Sequence, residues 1–278
     1  MEEDLKTSVK GQVLSIRDLP TLPAVLEEVT RMVKNPDVDT DEIAKVISRD
    51  QVLSAKVLKM VNSPVYGFPG RISSVHHSLM LLGFNVIRGI IISTSVFDMM
   101  ERAMKGLWEH SLGCATASGI LARAVGADDP ETYAVSGLLH DLGNVVTAVQ
   151  LPELHQALTD TVRRKDIPYF EAEKVVMGFG HDRINAWLAR HWNLPPNIRE
   201  AMSHHHKPAL AQNWKPLSAV VHVGDFLVRL FEYGSGGDDH VLPLQQEALQ
   251  ILKIKLDDLE PVMDEFADQL VEISELTF

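Results

Sequence analysis

Apolar residues recur at helical spacing along almost the whole chain, and strand-like alternation is nearly absent. Val25, Leu26, Val29, Met32 and Val33 form the first stripe, with Thr21-Leu22-Pro23 supplying a cap residue and an early proline before it. Asn35-Pro36 closes it. Asp39 with Glu42 makes a capping-box pattern that opens onto Ile43, Ala44, Val46 and Ile47. The next helix, about Val52 to Val61, runs into Asn62-Ser63-Pro64, where proline forbids continuation. Tyr66-Gly67-Phe68-Pro69-Gly70 reads as a rigid loop whose two rings either pack inward and hold the two halves together, the favoured reading, or stand at the surface as anchors for a partner. Ser73 or Ser74 caps a short helix ending at Gly83, and Asn85 opens an apolar helix to about Met99.

From about Met104 the pattern changes to longer helices, expected over 105–125, 130–147, 151–165, 170–177, 180–191, 195–204 and 215–232. The stretch Glu232 to Asp238, rich in glycine and serine, reads as a flexible linker. Beyond it, Gln245–Leu252 and Leu256–Ile273 read as amphipathic helices with acidic outer faces. The expected fold is therefore all-α: an N-terminal bundle of short helices (residues 1–100), a helical domain (101–235) and an acidic C-terminal helical extension (236–278).

At 278 residues and 45% hydrophobic, the chain has material for a substantial core. The acidic start, Met1-Glu2-Glu3-Asp4, is no secretory signal. Ser93, Thr94 and Ser95 break the longest apolar run, so no membrane span is expected. The single cysteine, Cys114, excludes an intramolecular disulfide and a Cys-based zinc site, and a cytoplasmic location is expected. The net charge of −12 argues against non-specific nucleic-acid binding. Eleven acidic residues and two lysines from Ser235 onward give −9, leaving only −3 on the rest.

Ten of the twelve histidines lie between His110 and His240. The adjacent pair His140-Asp141 lies on an apolar helix that Gly143 is expected to end or interrupt. Neighbouring helical side chains diverge by about 100°, yet their tips can converge on one ion between the two faces. An imidazole beside a carboxylate suits a divalent Fe, Mn, Ni or Zn ion. His110, His181, the run His204-His205-His206, and His222 with Asp225 are strung along the same half of the chain. His222 and Asp225, three apart, share a helical face.

Many short segments occur together in an order that resembles the HDOD family, regulatory relatives of the HD phosphohydrolases. In the first half they are Leu19-Pro20-Thr21-Leu22-Pro23, the turn at Asp50, Val61-Asn62-Ser63-Pro64-Val65-Tyr66-Gly67 and Leu81-Leu82-Gly83-Phe84. In the second half they are Trp108-Glu109-His110-Ser111, Gly137 to Gly143, Gly180-His181, Trp192-Asn193-Leu194-Pro195 and His205-His206-Lys207-Pro208. The likeness covers roughly residues 13 to 235 and implies an all-helical fold and a role in bacterial signalling.

The resemblance also implies a ligand set. In the HD superfamily it is a first His, the His-Asp pair and a late Asp, matched here by His110, His140, Asp141 and Asp225. Binuclear relatives, the HD-GYP phosphodiesterases, add three histidines, at whose places stand His181, His205 and His206. One or two divalent ions are thus expected, with His204, His222 and Asn144 around them. Two departures count against hydrolysis. Asn144 stands where the HD-GYP enzymes carry a phosphate-facing lysine, and Lys207-Pro208-Ala209 replaces their Gly-Tyr-Pro signature. Arg183 and Lys207 are the nearest cations for a phosphate. The function expected is a signalling module acting by protein contact, with a metal-dependent phosphohydrolase as the alternative and a di-iron-type oxygenase as a third. Its partners would be signalling proteins, and a homodimer is compatible with the chain.

Overall fold

A computed structural model describes residues 8, 9, 11, 24–33 and 38–274. Among the described residues every regular element is a helix. The segments at residues 19–23 and 35–36 lie outside the described residues.

Three short helices come first: α1 (Ala24–Met32), α2 (Thr40–Ser48) and α3 (Gln51–Val61). Asp39 caps α2 by accepting from the Asp41 N–H, and Asp50 caps α3 by accepting from the Leu53 N–H at 2.9 Å. After α3, Asn62 pins the loop: its Oδ1 accepts from the Ile72 N–H at 2.7 Å and its Nδ2 donates to the Ile72 carbonyl at 2.8 Å. The loop is held as the prolines suggest, and its rings turn inward. Tyr66 is 5% exposed and Phe68 packs against the core, so the inward reading holds and the surface-anchor reading does not. Apolar area is worth more inside the protein than at its surface, and the loop folds its rings in accordingly.

In α4 (Val75–Ala103) two helical stretches meet at Gly83, whose non-helical φ of 70° is open to glycine, so the short first helix ends where the sequence places it, and Ser74 caps its start at 3.1 Å. Its Val75–Phe97 stretch is long and apolar enough to cross a membrane, yet 67% of its apolar window is buried within the protein. Ser93 and Thr94 return their hydroxyls to the Ile90 carbonyl, at 3.0 and 2.8 Å.

The central helix, α5 (Leu107–Ala124), is buried on nearly every face. It gives Leu107, Trp108 and Leu112 to a core shared with the N-terminal helices, and Ala117, Ile120 and Leu121 to a second one. A helix apolar all round belongs inside. The chain continues through α6 (Pro130–Leu139), α7 (Leu142–Gln150), α8 (Pro152–Lys165), α9 (Tyr169–Met177), α10 (His181–His191), α11 (Pro196–His204) and α12 (Lys215–Leu230). The last two helices, α13 (Gln246–Leu252) and α14 (Glu260–Ser274), bury Ala248, Leu252, Val262 and Phe266 in the second core with α12.

Two expectations change here. The single helix over 130–147 is two helices, and the break falls at His140 and Asp141 themselves, with Gly143 inside the first turn of α7. The glycine-rich stretch from Glu232 is not a flexible linker. Ser235 donates its N–H to the Gly106 carbonyl at 2.8 Å, Asp238 accepts from the Tyr169 N–H at 2.7 Å, and a side chain on Gly234 would strike the His110 backbone. Its small residues permit close approach to the start of α5, which composition alone reads as flexibility.

Candidate metal centre

The break between α6 and α7 has a tertiary cause. The side chain of Asn185, on α10, donates to the His140 and Met202 carbonyls and accepts from the Gly143 N–H at 2.8 Å. The His140 and Gly143 groups, freed from a continuous helix, are satisfied from a third helix. Gly143 then lets α10 approach: a Cβ there would stand 2.6 Å from the His181 carbonyl oxygen. The result sets His181 against Asp141.

Seven of the residues proposed from the sequence converge. His110, on α5, points Nε2 at Asp225 of α12, 3.1 Å from its Oδ1. His140 Nε2 lies 3.8 Å from the same oxygen. His181, at the start of α10, places Nε2 3.2 Å from His205 Nε2 and 3.0 Å from His206 Nε2. Asp141 stands between the two groups. Its Oδ2 is 3.5 Å from His110 Nε2 and 3.4 Å from His140 Nε2, while its Oδ1 is 3.0 Å from His181 Nε2 and 3.9 Å from His205 Nε2. All seven are at most 5% exposed.

The rings are held from behind. His140 Nδ1 bonds the Gly137 carbonyl at 2.6 Å, His205 Nδ1 the Met202 carbonyl at 3.0 Å, and His181 Nδ1 the Glu173 carboxylate at 2.8 Å. With the hydrogen on Nδ1, each ring offers the Nε2 lone pair inward, as a metal requires. His222 supports the set indirectly, its Nδ1 bonding the His205 carbonyl at 2.9 Å. Asn144 is fully buried with both side-chain polar atoms unpartnered. His204 takes another course: its Nδ1 bonds the Glu200 carbonyl, and among the described residues no hydrogen bond joins it to the cluster.

Two contributors escaped the sequence reading. Glu173 is buried and grips both the N–H and the Nδ1 of His181, at 2.9 and 2.8 Å. A glutamate sharing the Phe170–Met177 apolar face of α9 was the available signal. Arg229 donates to Asp225 Oδ1 at 2.8 Å, four residues along α12, a spacing that pairs side chains on one face.

The donor set fits a metal. Both Asp141 oxygens and the Nε2 atoms of His110 and His140 are buried without hydrogen-bond partners among the described residues. The groups His110–His140–Asp225 and His181–His205–His206 each bring three donor atoms within 4.8 Å of one another. Nitrogen and carboxylate donors without thiolate suit Fe, Mn, Ni or Zn.

Protonation supports the same reading. Burial alone would discharge His181, but Glu173 and Asp141 outweigh it and raise the ring to about 10. Burial is likewise outweighed at His140, held well above the usual histidine range by Asp141, Cys114 and Asp225. Burial lowers His110, and burial together with the neighbouring rings lowers His205 and His206. Despite burial, the histidines around Asp141, and Arg229 with the histidines around Asp225, hold both carboxylates ionised. Without a cation, His140 and His181 therefore carry the balancing protons, which a metal must displace. Metal uptake at pH 7 is expected to release about two protons per chain, and affinity should strengthen as pH rises. Calorimetry in buffers of different ionisation enthalpy measures this, and uptake without proton release would contradict it.

The HDOD domain family matches residues 19–208. An uncharacterised protein of Treponema pallidum (strain Nichols) is 31% identical over 223 residues, 78% of this chain and 43% of the relative. The uncharacterised protein YuxH of Bacillus subtilis (strain 168) is 28% identical over 130 residues, 46% of this chain and 32% of that protein. This chain thus spans less than half the length of both curated relatives. A crystal structure of an HDOD domain protein of unknown function from Geobacter sulfurreducens superposes with a TM-score of 0.74 at 26% identity. That match covers 96% of this chain and 95% of the other. With the profile spanning more than half of its length and the fold shared end to end, this chain is a member of the HDOD domain family.

Proposed function

We propose that this chain is a regulatory signal-transduction module that keeps a buried one- or two-ion His/Asp centre and acts through protein contact. Hydrolysis of phosphodiesters is not part of this reading. The observation that carries it is the character of the cavity reaching the cluster. That cavity, of about 440 Å³, touches His110 and is walled by Glu232, Asp238 and Asp239. Its guanidinium, Arg229, is already engaged by Asp225 at 2.8 Å and Asp238 at 3.5 Å. Such a wall attracts a metal cation and repels an anionic phosphodiester. Asn144, neutral and buried, adds no charge to offset that repulsion.

His110, His140, Asp141 and Asp225 would hold one ion and His181, His205 and His206 the other, with Asp141 facing both. A bound ion would supply Lewis-acid chemistry and, here, structural cross-linking of five helices. The N-terminal half, which brings no donor to the cluster, would carry the partner contact. Its exposed apolar side chains, Val52 at 69%, Met80 at 63% and Leu81 at 48%, support that assignment.

The test is turnover of cyclic di-GMP by protein loaded in turn with Fe, Mn, Ni and Zn. Loss of one charge-stabilising donor typically slows such chemistry about 10²–10³-fold. Turnover is accordingly expected below about 0.01 per second. Metal-dependent turnover near one per second, abolished by Asp141→Ala, would establish the phosphohydrolase instead.

A further inference from the structure

We propose that a second pocket, on the outer side of the His181–His206 group, binds a small molecule carrying a di- or triphosphate. This cavity, of about 530 Å³, collects Lys174 from α9, Arg183 and Arg190 from α10, and Lys207 from the turn after α11. Asp182 is the one carboxylate in its wall. Four cations against one anion form a local excess in a chain whose net charge is −12.

These cations are also unspent. Arg183, Arg190 and Lys207 are exposed, and among the described residues none pairs with a carboxylate. Lys174 is partly engaged, with Glu171 at 2.6 Å and above the Phe170 ring at 4.0 Å. Cations converging on a concave surface repel one another and focus a positive potential into it. A multivalent anion relieves that repulsion. Arginine forks favour phosphoryl oxygens in paired hydrogen bonds, and a lysine adds a point charge. Two arginines and a lysine match two or three phosphoryl groups, and the volume lies in the usual range for small-molecule sites. A nucleic-acid strand fits poorly, since the charge forms one cup and no stripe, and the C-terminal helices are strongly acidic.

The pocket is separate from the space between the metal-ligating atoms. Phe170 forms the shared wall, its ring stacked on His206 with centroids 3.7 Å apart. Neither face of that ring is open, because Lys174 covers the other, so the phosphates and no aromatic base supply the recognition.

Calorimetric titration of the full chain with pyrophosphate, ATP and adenosine tests this on metal-loaded and chelator-treated protein alike. Pyrophosphate and ATP are expected to bind with a Kd below about 1 mM, weakening with salt, and adenosine not to bind. The double variant Arg183→Ala/Lys207→Ala should weaken pyrophosphate about tenfold or more while leaving metal content unchanged. Arg190→Gln provides an independent surface variant with the same expected direction. Three results would overturn the proposal. One is no binding of either phosphate by the native chain. Another is binding indifferent to all three pocket substitutions. The last is binding lost on chelation or on Asp141→Ala, which would place the anion at the metal.

Discussion

Asp141→Ala is expected to strip the chain of both metal positions at once, leaving less than about a tenth of an ion per protomer. The reason is placement. The two oxygens of this one side chain face different groups, Oδ2 toward His110 and His140, Oδ1 toward His181. Any other single ligand belongs to one group, so its loss should spare part of the metal. Stability should follow. A metal held at a thousand times its dissociation constant adds about 4 kcal/mol to the folded state. For a chain of this size that is roughly 8–16 °C in Tm. A chelator should therefore lower the melting temperature of the native protein by such an amount and leave Asp141→Ala unmoved. Elemental analysis and paired melting curves decide the matter. Equal metal in native and variant proteins would remove Asp141 from the site.

The other large effect is expected at a residue with no part in ligation. Asn185→Ala should destabilise the fold by roughly 2–6 kcal/mol, since one carbonyl and one N–H are left buried without partners, at about 1–3 kcal/mol each. Those groups belong to His140 and Gly143, so the break that orients His140 and Asp141 loses its support, while the Met202 carbonyl keeps its bond to His205 Nδ1. Metal affinity should fall along with stability. Asn185→Asp keeps an acceptor for the Gly143 N–H and loses both donors, so it should recover little. A change below about 1 kcal/mol in denaturant unfolding would show that the break at Asp141 sustains itself.

Much of the fold was readable from the chain. Caps at Asp39 and Ser74, the proline stop at Pro64, and the apolar stripes placed most helices within a few residues. These signals are local, since a cap or a proline acts on its own turn and needs no distant partner. The seven histidine and aspartate positions were legible in another way, through segments ordered as in a known family, and no periodicity in this chain would have selected them.

What the sequence could not decide was settled by packing between distant elements. The apolar stretch over 130–147 has no punctuation strong enough to stop a helix at Leu139, and the stop exists because Asn185 arrives from α10 to satisfy the opened backbone. The same holds for the glycines from Gly234 to Gly237. Composition calls such a run flexible, while contact with α5 and α9 makes it the rigid flank of the cavity at His110. Tyr66 and Phe68 turned inward for the same kind of reason, because only the assembled core offered them an interior to fill. Local chemistry along this chain determined where helices start and which residues could bind an ion. Tertiary contact alone determined that Asp141 stands between two groups of histidines, because that position depends on a buried amide forty-four residues away in the sequence.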